Sequence, residues 1–497
     1  MTLSVSHRWH AWLIALLCVI ALFQLVTITP GHGWGDDFAG YIAHARNLVE
    51  GRPYAETGYV YNKDEPIGPP AYPPGLPLLL APIYALRGLD YSAMKALMVL
   101  SLVVGLLFVA SLVKRWDSPE SALAVVALIG FNPFFWDFKN EVLSDLPFFC
   151  FFFLSMWLMQ RALTAQMSTS DAILLAIAWW AAYATRTLGL VLPAAFVATE
   201  LYTRRWQRST FVALAVFAVF CILQAIALQS PASYMDQLSL NSPRVAGEIV
   251  VRSTAFMPLF DAGLNSAATA VTFVAASFFA VVGLIQSWSK RCFLPVIVFA
   301  FYIAAVAASM VVSRWLWMHD QGFRYLIPAV PHYLFFVVFG MKTVANRMGK
   351  AGYTLELGAA VAVIGMYIAG YSAVTRTPLP PRVESQSAQS LFTFFRRSTP
   401  RDAVVIFKAP RALALYTNRK AAIYTRTIPA DPWDFIRKIH ATYIASIKLS
   451  AQDSAFVNKV ERERPNSVKQ VFVNDQFTVY ELSRQQLLTE SIEHSSR

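Results

Sequence analysis

Residues 10–46 read HAWLIALLCVIALFQLVTITPGHGWGDDFAGYIAHAR. Residues 10–29 carry no Asp, Glu, Lys or Arg, and a helix needs about 20 apolar residues to cross a bilayer core. The run is long for the apolar part of a signal peptide, and no small-x-small cleavage site closes it, so it reads as a signal anchor. The chain then turns at Pro30 and Gly31 and presents two adjacent carboxylates, Asp36 and Asp37. The pattern beyond them predicts a helix from Asp37 to about Glu50, with Asp36 at its N-cap. On that helix Asp37, Tyr41 and His44 recur at i, i+4 and i+7 and share one face. An acid held at a membrane surface suits a general base or a metal ligand. Plain helix chemistry offers a simpler role, in which Asp36 caps and Asp37 favours the positive end of the dipole.

Composition carries the membrane reading to the rest of the chain. Of 497 residues, 56 % are hydrophobic and only 14 % charged, against roughly 25 % charged in soluble domains. Mean hydropathy is +0.46. A disordered chain, a collagen, a small disulfide scaffold and an ordinary soluble enzyme are all excluded. The four cysteines lie in apolar runs and form no CxxC motif. The net charge of +12 comes without any basic run longer than two residues. It therefore points to membrane lipid and to topology rather than to nucleic acid.

Candidate spans fall at about 10–29, 91–113, 119–136, 144–163, 171–186, 188–202, 209–230, 266–287, 292–313, 325–345 and 353–374. A proline-rich apolar run at 74–86 is too short to span and reads as a partial helix. With the N-terminus cytoplasmic, the inner loops hold Lys114, Arg115, Arg161, Arg204, Arg205, Arg208, Lys290, Arg291, Lys342, Arg347 and Lys350, as the positive-inside rule requires. The loop 30–90 and the C-terminus then face outward. Residues 1–375 hold 42 charges and residues 376–497 hold 30, so a multi-spanning domain over 1–375 gives way to a tail of soluble composition. Residues 376–383 read as a linker and 384–497 as an extracytoplasmic α/β domain, with strands near 403–407, 420–424, 442–446, 468–473 and 476–482. Helices of that domain are expected at 385–397, 410–417, 433–440 and 452–464. The fold class is a polytopic α-helical membrane protein of about eleven spans with this small domain appended.

Further charges gather on the outward side. Asp137, Glu141 and Asp145 recur every four residues at the mouth of the third and fourth spans. Asp145 opens an apolar run, where a carboxylate is costly and marks a functional candidate. Arg186 sits in the turn between two short spans, and Arg324 and Tyr325 open the tenth. A guanidinium at headgroup level binds phosphate bidentately, or simply snorkels to the interface. Lys63 in the first loop is a second candidate phosphate contact. No HExxH, GxSxG or P-loop pattern occurs. A lipid or solute transporter or flippase is the alternative class, but it calls for ionisable residues near the bilayer midplane, whereas these cluster at one face.

The motifs Asp36-Asp37…Tyr41…Ala45-Arg46, Tyr72-Pro-Pro-Gly-Leu, Glu141…Ser144-Asp145…Pro147, Thr185-Arg186…Gly189 and Arg324-Tyr325-Leu-Ile-Pro328…Pro331 resemble the GT-C superfamily of membrane glycosyltransferases. The resemblance leans to the branch holding dolichyl-phosphate-mannose protein mannosyltransferases and aminoarabinose lipid A transferases. The chain departs from it in having Asp-Asp where many relatives have Asp-Glu, and Tyr72 where the lipid A branch often has lysine. The resemblance implies sugar transfer, with inversion, from a polyprenyl-phosphate donor to a protein, lipid or glycan acceptor at the periplasmic face of a bacterial inner membrane. Asp36 or Asp37 would be the base. Arg186, Arg324 and Lys63 would steady the donor phosphate. Glu141 and Asp145 would orient acceptor, metal or first loop, with Tyr41, His44 and Tyr325 completing the substrate site. A divalent cation stays open as a cofactor.

Overall fold

The computed structural model describes residues 5–62, 67–228, 256–260, 266–312, 320–376, 382–424, 429 and 431–483. The first ten helices are α1 (Val5–Val26), α2 (Asp37–Glu50), α3 (Gly75–Arg87), α4 (Tyr91–Trp116), α5 (Pro119–Gly130), α6 (Pro133–Phe138), α7 (Asp145–Thr164), α8 (Thr169–Thr185), α9 (Val191–Thr203) and α10 (Arg208–Leu228). Longer helices follow at Ser266–Ser289, Phe293–Val312, Val330–Met348 and Lys350–Arg376, with a 3-10 segment over Asp320–Ala329. The chain is a multi-pass helical membrane protein. Among the described residues, eight helical segments are long and apolar enough to cross a membrane. Each of the eleven expected spans finds a helix, but three of those helices are shorter than a span. The run 119–136 is the clearest departure: α5 stops at Gly130, and Asn132 caps a new helix by accepting from the Phe134 N–H at 2.9 Å, with Pro133 at its first position.

Apolar faces without partners among the described residues mark the lipid-facing surfaces. Leu22 and Val26 on α1, Ile222 and Ile226 on α10, and Val361, Ile364 and Ile368 on the helix Lys350–Arg376 are exposed. The core lies between α4, α7 and α8 and is rich in aromatic rings, among them Phe148, Phe149, Phe152 and Trp179.

The C-terminal domain folds as expected. β1 (Val404–Ile406), β2 (Lys420–Ala422), β3 (Tyr443–Ile447), β4 (Val468–Val473) and β5 (Phe477–Leu482) form one sheet in the order β2-β1-β3-β5-β4. The pairs β1/β2 and β1/β3 are parallel, and β5 runs antiparallel to both β3 and β4. Helices lie at Gln386–Ser398, Pro410–Thr417, Pro432–Lys438 and Ala451–Glu463.

The domain is fastened to the bundle rather than tethered beside it. The first loop adds a rung to the sheet: the Val60 N–H donates to Ala421 O at 2.8 Å and the Ala421 N–H to Gly58 O at 2.9 Å. At the domain's entry, the Val383 N–H donates to His32 O at 3.1 Å and the Glu384 carboxylate accepts from the His32 N–H at 3.0 Å. Trp34 packs its ring against Phe392, Phe407 and Phe477. One apolar core therefore runs from the helices into the domain.

Candidate active site

α2 spans Asp37–Glu50 and closes at Gly51, whose φ of 65° places it in the left-handed region that terminates helices. The Asp36 side chain makes no cap bond to α2. It caps a different helix. Its Oδ1 accepts the N–H of Arg411 at 2.8 Å and of Ala412 at 3.4 Å, the second and third residues of Pro410–Thr417. These are the donors a cap normally serves from within its own helix. Here the cap comes from the other end of the chain. The Arg411 Nη1 also donates to Asp36 Oδ2 at 3.0 Å.

Asp37 sits one residue on and is more accessible, with its side chain 33 % exposed against 17 % for Asp36. Its Oδ1 accepts from the Tyr72 hydroxyl at 2.7 Å and its Oδ2 from Arg324 Nη1 at 3.2 Å. Arg411 Nη1 stands 3.7 Å from Oδ1. These environments push the two carboxyls apart. Burial raises Asp36 to about 6, against the pull of Arg411 and with the help of its charged neighbour Asp37. Burial would raise Asp37 as well, but Arg324 and Arg411 outweigh it and hold that carboxyl below its ordinary value.

Asp145, with a fully buried side chain, lies beneath them. It pairs with Arg186, and its Oδ1 also accepts from Arg324 Nε at 3.4 Å. Arg324 thus bridges Asp145 and Asp37. The Tyr325 ring lies under both cations, 4.5 Å from the Arg186 guanidinium carbon and 5.8 Å from that of Arg324. Tyr302 holds this segment in place by donating to Tyr325 O at 2.7 Å. Among the described residues Arg186 donates only to Asp145, which leaves most of its five N–H donors for a ligand.

Gly75 sets the separation of α3 from Arg186. A Cβ there would lie 2.4 Å from Thr185 Oγ1 and 2.7 Å from the Thr185 N. The Pro-Pro-Gly-Leu motif is thus a close approach of α3 to the end of α8. Gly75→Ala is expected to cost about 1–3 kcal/mol through overpacking and to displace Arg186, which follows Thr185. A thermal melt reads the first effect, and a titration with inorganic phosphate reads the second.

The remaining candidates divide. The Tyr41 hydroxyl is 3.0 Å from Ser144 Oγ, and burial, aided by the charge of Asp37, pushes its phenol up to about 12, so it stays protonated at the edge of the cluster. His44 shares the helix but not the chemistry. Its Nδ1 donates to Tyr54 O at 2.8 Å and its Nε2 accepts from the Tyr72 N–H at 3.2 Å. With burial lowering it to about 4, it is a neutral tie for the loop. Glu141 lies 3.6 Å from His32 Nε2, on the flank of the site, and burial raises its carboxyl. Lys63 falls outside the described residues.

Sequence reading missed Arg411, whose side chain is 3 % exposed. One signal was available: a cation in the first turn of a helix opposes the dipole and so points to an acid supplied from elsewhere. A divalent cation does not fit this donor set. Among the described residues no three His, Cys, Asp or Glu side chains come together as ligands, and Asp36, Asp37 and Asp145 are each taken by a guanidinium.

Comparisons with known proteins bear on the fold. The sequence profile of the dolichyl-phosphate-mannose-protein mannosyltransferase family matches residues 71–228. No curated protein matches by sequence. ArnT from Cupriavidus metallidurans, solved bound to undecaprenyl phosphate, superimposes with a TM-score of 0.59 at 14 % identity, covering 95 % of this chain and 98 % of that one. The Archaeoglobus fulgidus oligosaccharyltransferase gives 0.59 at 12 % identity, over 88 % of this chain and 69 % of that one. The mycobacterial arabinofuranosyltransferase AftD gives 0.53 at 13 % identity, over 95 % of this chain and 40 % of that one. The chain has the fold of the GT-C superfamily of membrane glycosyltransferases.

Proposed function

We propose that this protein transfers a sugar, with inversion, from a polyprenyl-phosphate donor to an acceptor hydroxyl at the outer face of the membrane, with Asp37 as the base. The observation that carries the reading is a partly exposed, ionised carboxylate bridged by Arg324 to the buried Asp145–Arg186 pair. Base and anion clamp are thereby adjacent. From Thr187, the residue after Arg186, an open groove of about 380 Å³ runs past Leu188, Val191, Phe301, Ala305 and Ser309. Its largely apolar wall suits an isoprenoid chain whose phosphate rests on the guanidiniums.

In this reaction the acceptor oxygen bonds to the anomeric carbon as the bond to the phosphate oxygen breaks. The acceptor proton goes to Asp37. The leaving polyprenyl phosphate gains a charge, and Arg186 and Arg324 stabilise it as it forms. Arg324 is shared, so the phosphate competes with Asp37 for it. Donor binding draws the cation away and strengthens the base at the moment it is needed. The basic inner loops support a cytoplasmic N-terminus, and in a bacterial inner membrane that orientation keeps base and donor on the outer side.

The test is direct. Purified protein in lipid nanodiscs is incubated with radiolabelled polyprenyl-phosphate mannose, glucose or aminoarabinose and with lipid A, glycan or peptide acceptors. One donor is expected to yield labelled product of inverted anomeric configuration. A protein that neither transfers nor hydrolyses any of them, and shows no saturable binding of polyprenyl phosphate, contradicts the proposal.

A further inference from the structure

We propose that Arg411, brought in by the C-terminal domain, is a positioning residue of the transfer site: it takes Asp36 as its own partner and leaves Asp37 oriented and ionised for catalysis. The inference rests on the transfer reading and extends it, since it makes the C-terminal domain part of the active site.

Three observations carry it. Arg411 meets Asp36 through its backbone N–H and its guanidinium at once, at 2.8 and 3.0 Å, so helix and side chain are fixed by the same carboxylate. The side chain lies in a prepared slot between two rings of the first loop, 4.5 Å from the centroid of Tyr59 and 4.8 Å from that of Tyr72. Two glycines keep that slot clear. A Cβ at Gly40 would lie 2.9 Å from the Tyr72 ring and 3.1 Å from Arg411 Cδ, and one at Gly68 would lie 2.9 Å from Arg411 Nη2. Gly68 also has a φ of 137°, which other residues rarely adopt. Tyr72 in turn donates to Asp37. The arginine therefore braces the tyrosine that orients the base.

The charge arrangement explains the need. Adjacent carboxylates repel, and one of a close pair ordinarily stays protonated. Arg411 compensates Asp36 and stands 3.7 Å from Asp37. Without it Asp37 would keep Arg324 as its main cation, with Asp36, Tyr41, Tyr72 and Glu141 around it. A contact that served only to dock the domain would not require its cation to reach the second carboxylate.

The experiment compares wild type, Arg411→Lys, Arg411→Gln and the double variant Asp36→Asn/Arg411→Gln, which removes both buried charges and so preserves folding if the single variant does not. Two readouts are taken: transfer kinetics against pH, and infrared titration of the Asp37 carboxyl, assigned by subtracting an Asp37→Asn spectrum. Arg411→Gln is expected to lower kcat more than 10-fold with donor KM little changed. It should move the acidic limb of kcat/KM and the infrared titration of Asp37 upward together by about 1–3 pH units. Arg411→Lys keeps the cation and should retain an intermediate rate. The double variant also loses the repulsion from Asp36, so its displacement should be upward but smaller. Should folded Arg411→Gln or the double variant keep the wild-type titration of Asp37, the inference fails. Should wild type transfer no sugar while the infrared titration still moves, the transfer reading fails and only the hold of Arg411 on the ionisation of Asp37 stands.

Discussion

Asp37→Asn is expected to reduce sugar transfer by about 10²- to 10⁴-fold, the range that a positioned base contributes, while leaving expression and thermal stability close to wild type. The stability part follows from exposure. A third of the side chain remains accessible, and asparagine can accept from Arg324 through its amide oxygen while its NH2 donates to the Tyr72 hydroxyl. The rate part follows from asparagine having no basic oxygen at neutral pH. Asp36→Asn should behave differently, because that carboxylate caps Pro410–Thr417 and binds Arg411. Its loss should weaken the hold of the C-terminal domain and impair transfer through position.

A pH profile separates the two acids. With Asp37 as base, the acidic limb of kcat/KM lies below the ordinary carboxylate value of roughly 4, since Asp37 is held down by Arg324 and Arg411. With Asp36 as base it would lie near 6. A limb near 6 that vanishes in Asp36→Asn would reverse the assignment. Stability responds with opposite signs. The raised carboxyl of Asp36 costs stability above about 6, and that cost is relieved as pH falls toward the unfolded value. The lowered carboxyl of Asp37 contributes stability above the unfolded value and loses it as pH falls through its own lower one. Wild type should therefore gain stability relative to Asp36→Asn as pH falls from 6 to roughly 4.

Local order was legible where local chemistry sets it. α2 was readable end to end because an acidic start and Gly51 mark its limits. The strands and helices of the C-terminal domain were readable because their apolar periods are short and interrupted by polar turns. Hydropathy alone ran α5 and α6 together, since Phe134, Phe135 and Trp136 are as apolar as a span while Asn132-Pro133 restarts the helix. The partners of the site residues were not legible. Asp36 and Arg411 lie 375 positions apart, and Asp37 and Arg324 lie 287 apart. No periodicity links such pairs; the packing of the domain against the first loop does. His44 shows the converse, since helical spacing placed it on the face of Asp37 but not which groups would claim its ring nitrogens.

Asp145→Asn is expected to have the largest effect on stability, about 3–5 kcal/mol, because it breaks a buried ion pair from one side. The carboxylate is fully buried and serves both Arg186 and Arg324. Its removal leaves two guanidiniums close together with only Asp37 to compensate them. The thermal midpoint should fall steeply and donor binding should be lost with it. Loss of binding alone would not show whether the cluster exists for the fold or for the ligand, so a second variant is informative. Asp145→Leu/Arg186→Leu/Arg324→Met replaces all three charges with apolar side chains, a change that buried ion clusters often tolerate without loss of stability. It should melt at or above the midpoint of Asp145→Asn yet bind no polyprenyl phosphate. If the triple variant bound donor as wild type does, the guanidiniums would not be the phosphate clamp. If Asp145→Asn melted and bound like wild type, Asp145 would not be the group that sets them. A buried cluster that stability does not require is best explained by an anion that arrives, accepts the cations from their carboxylates, and leaves with one more charge than it brought.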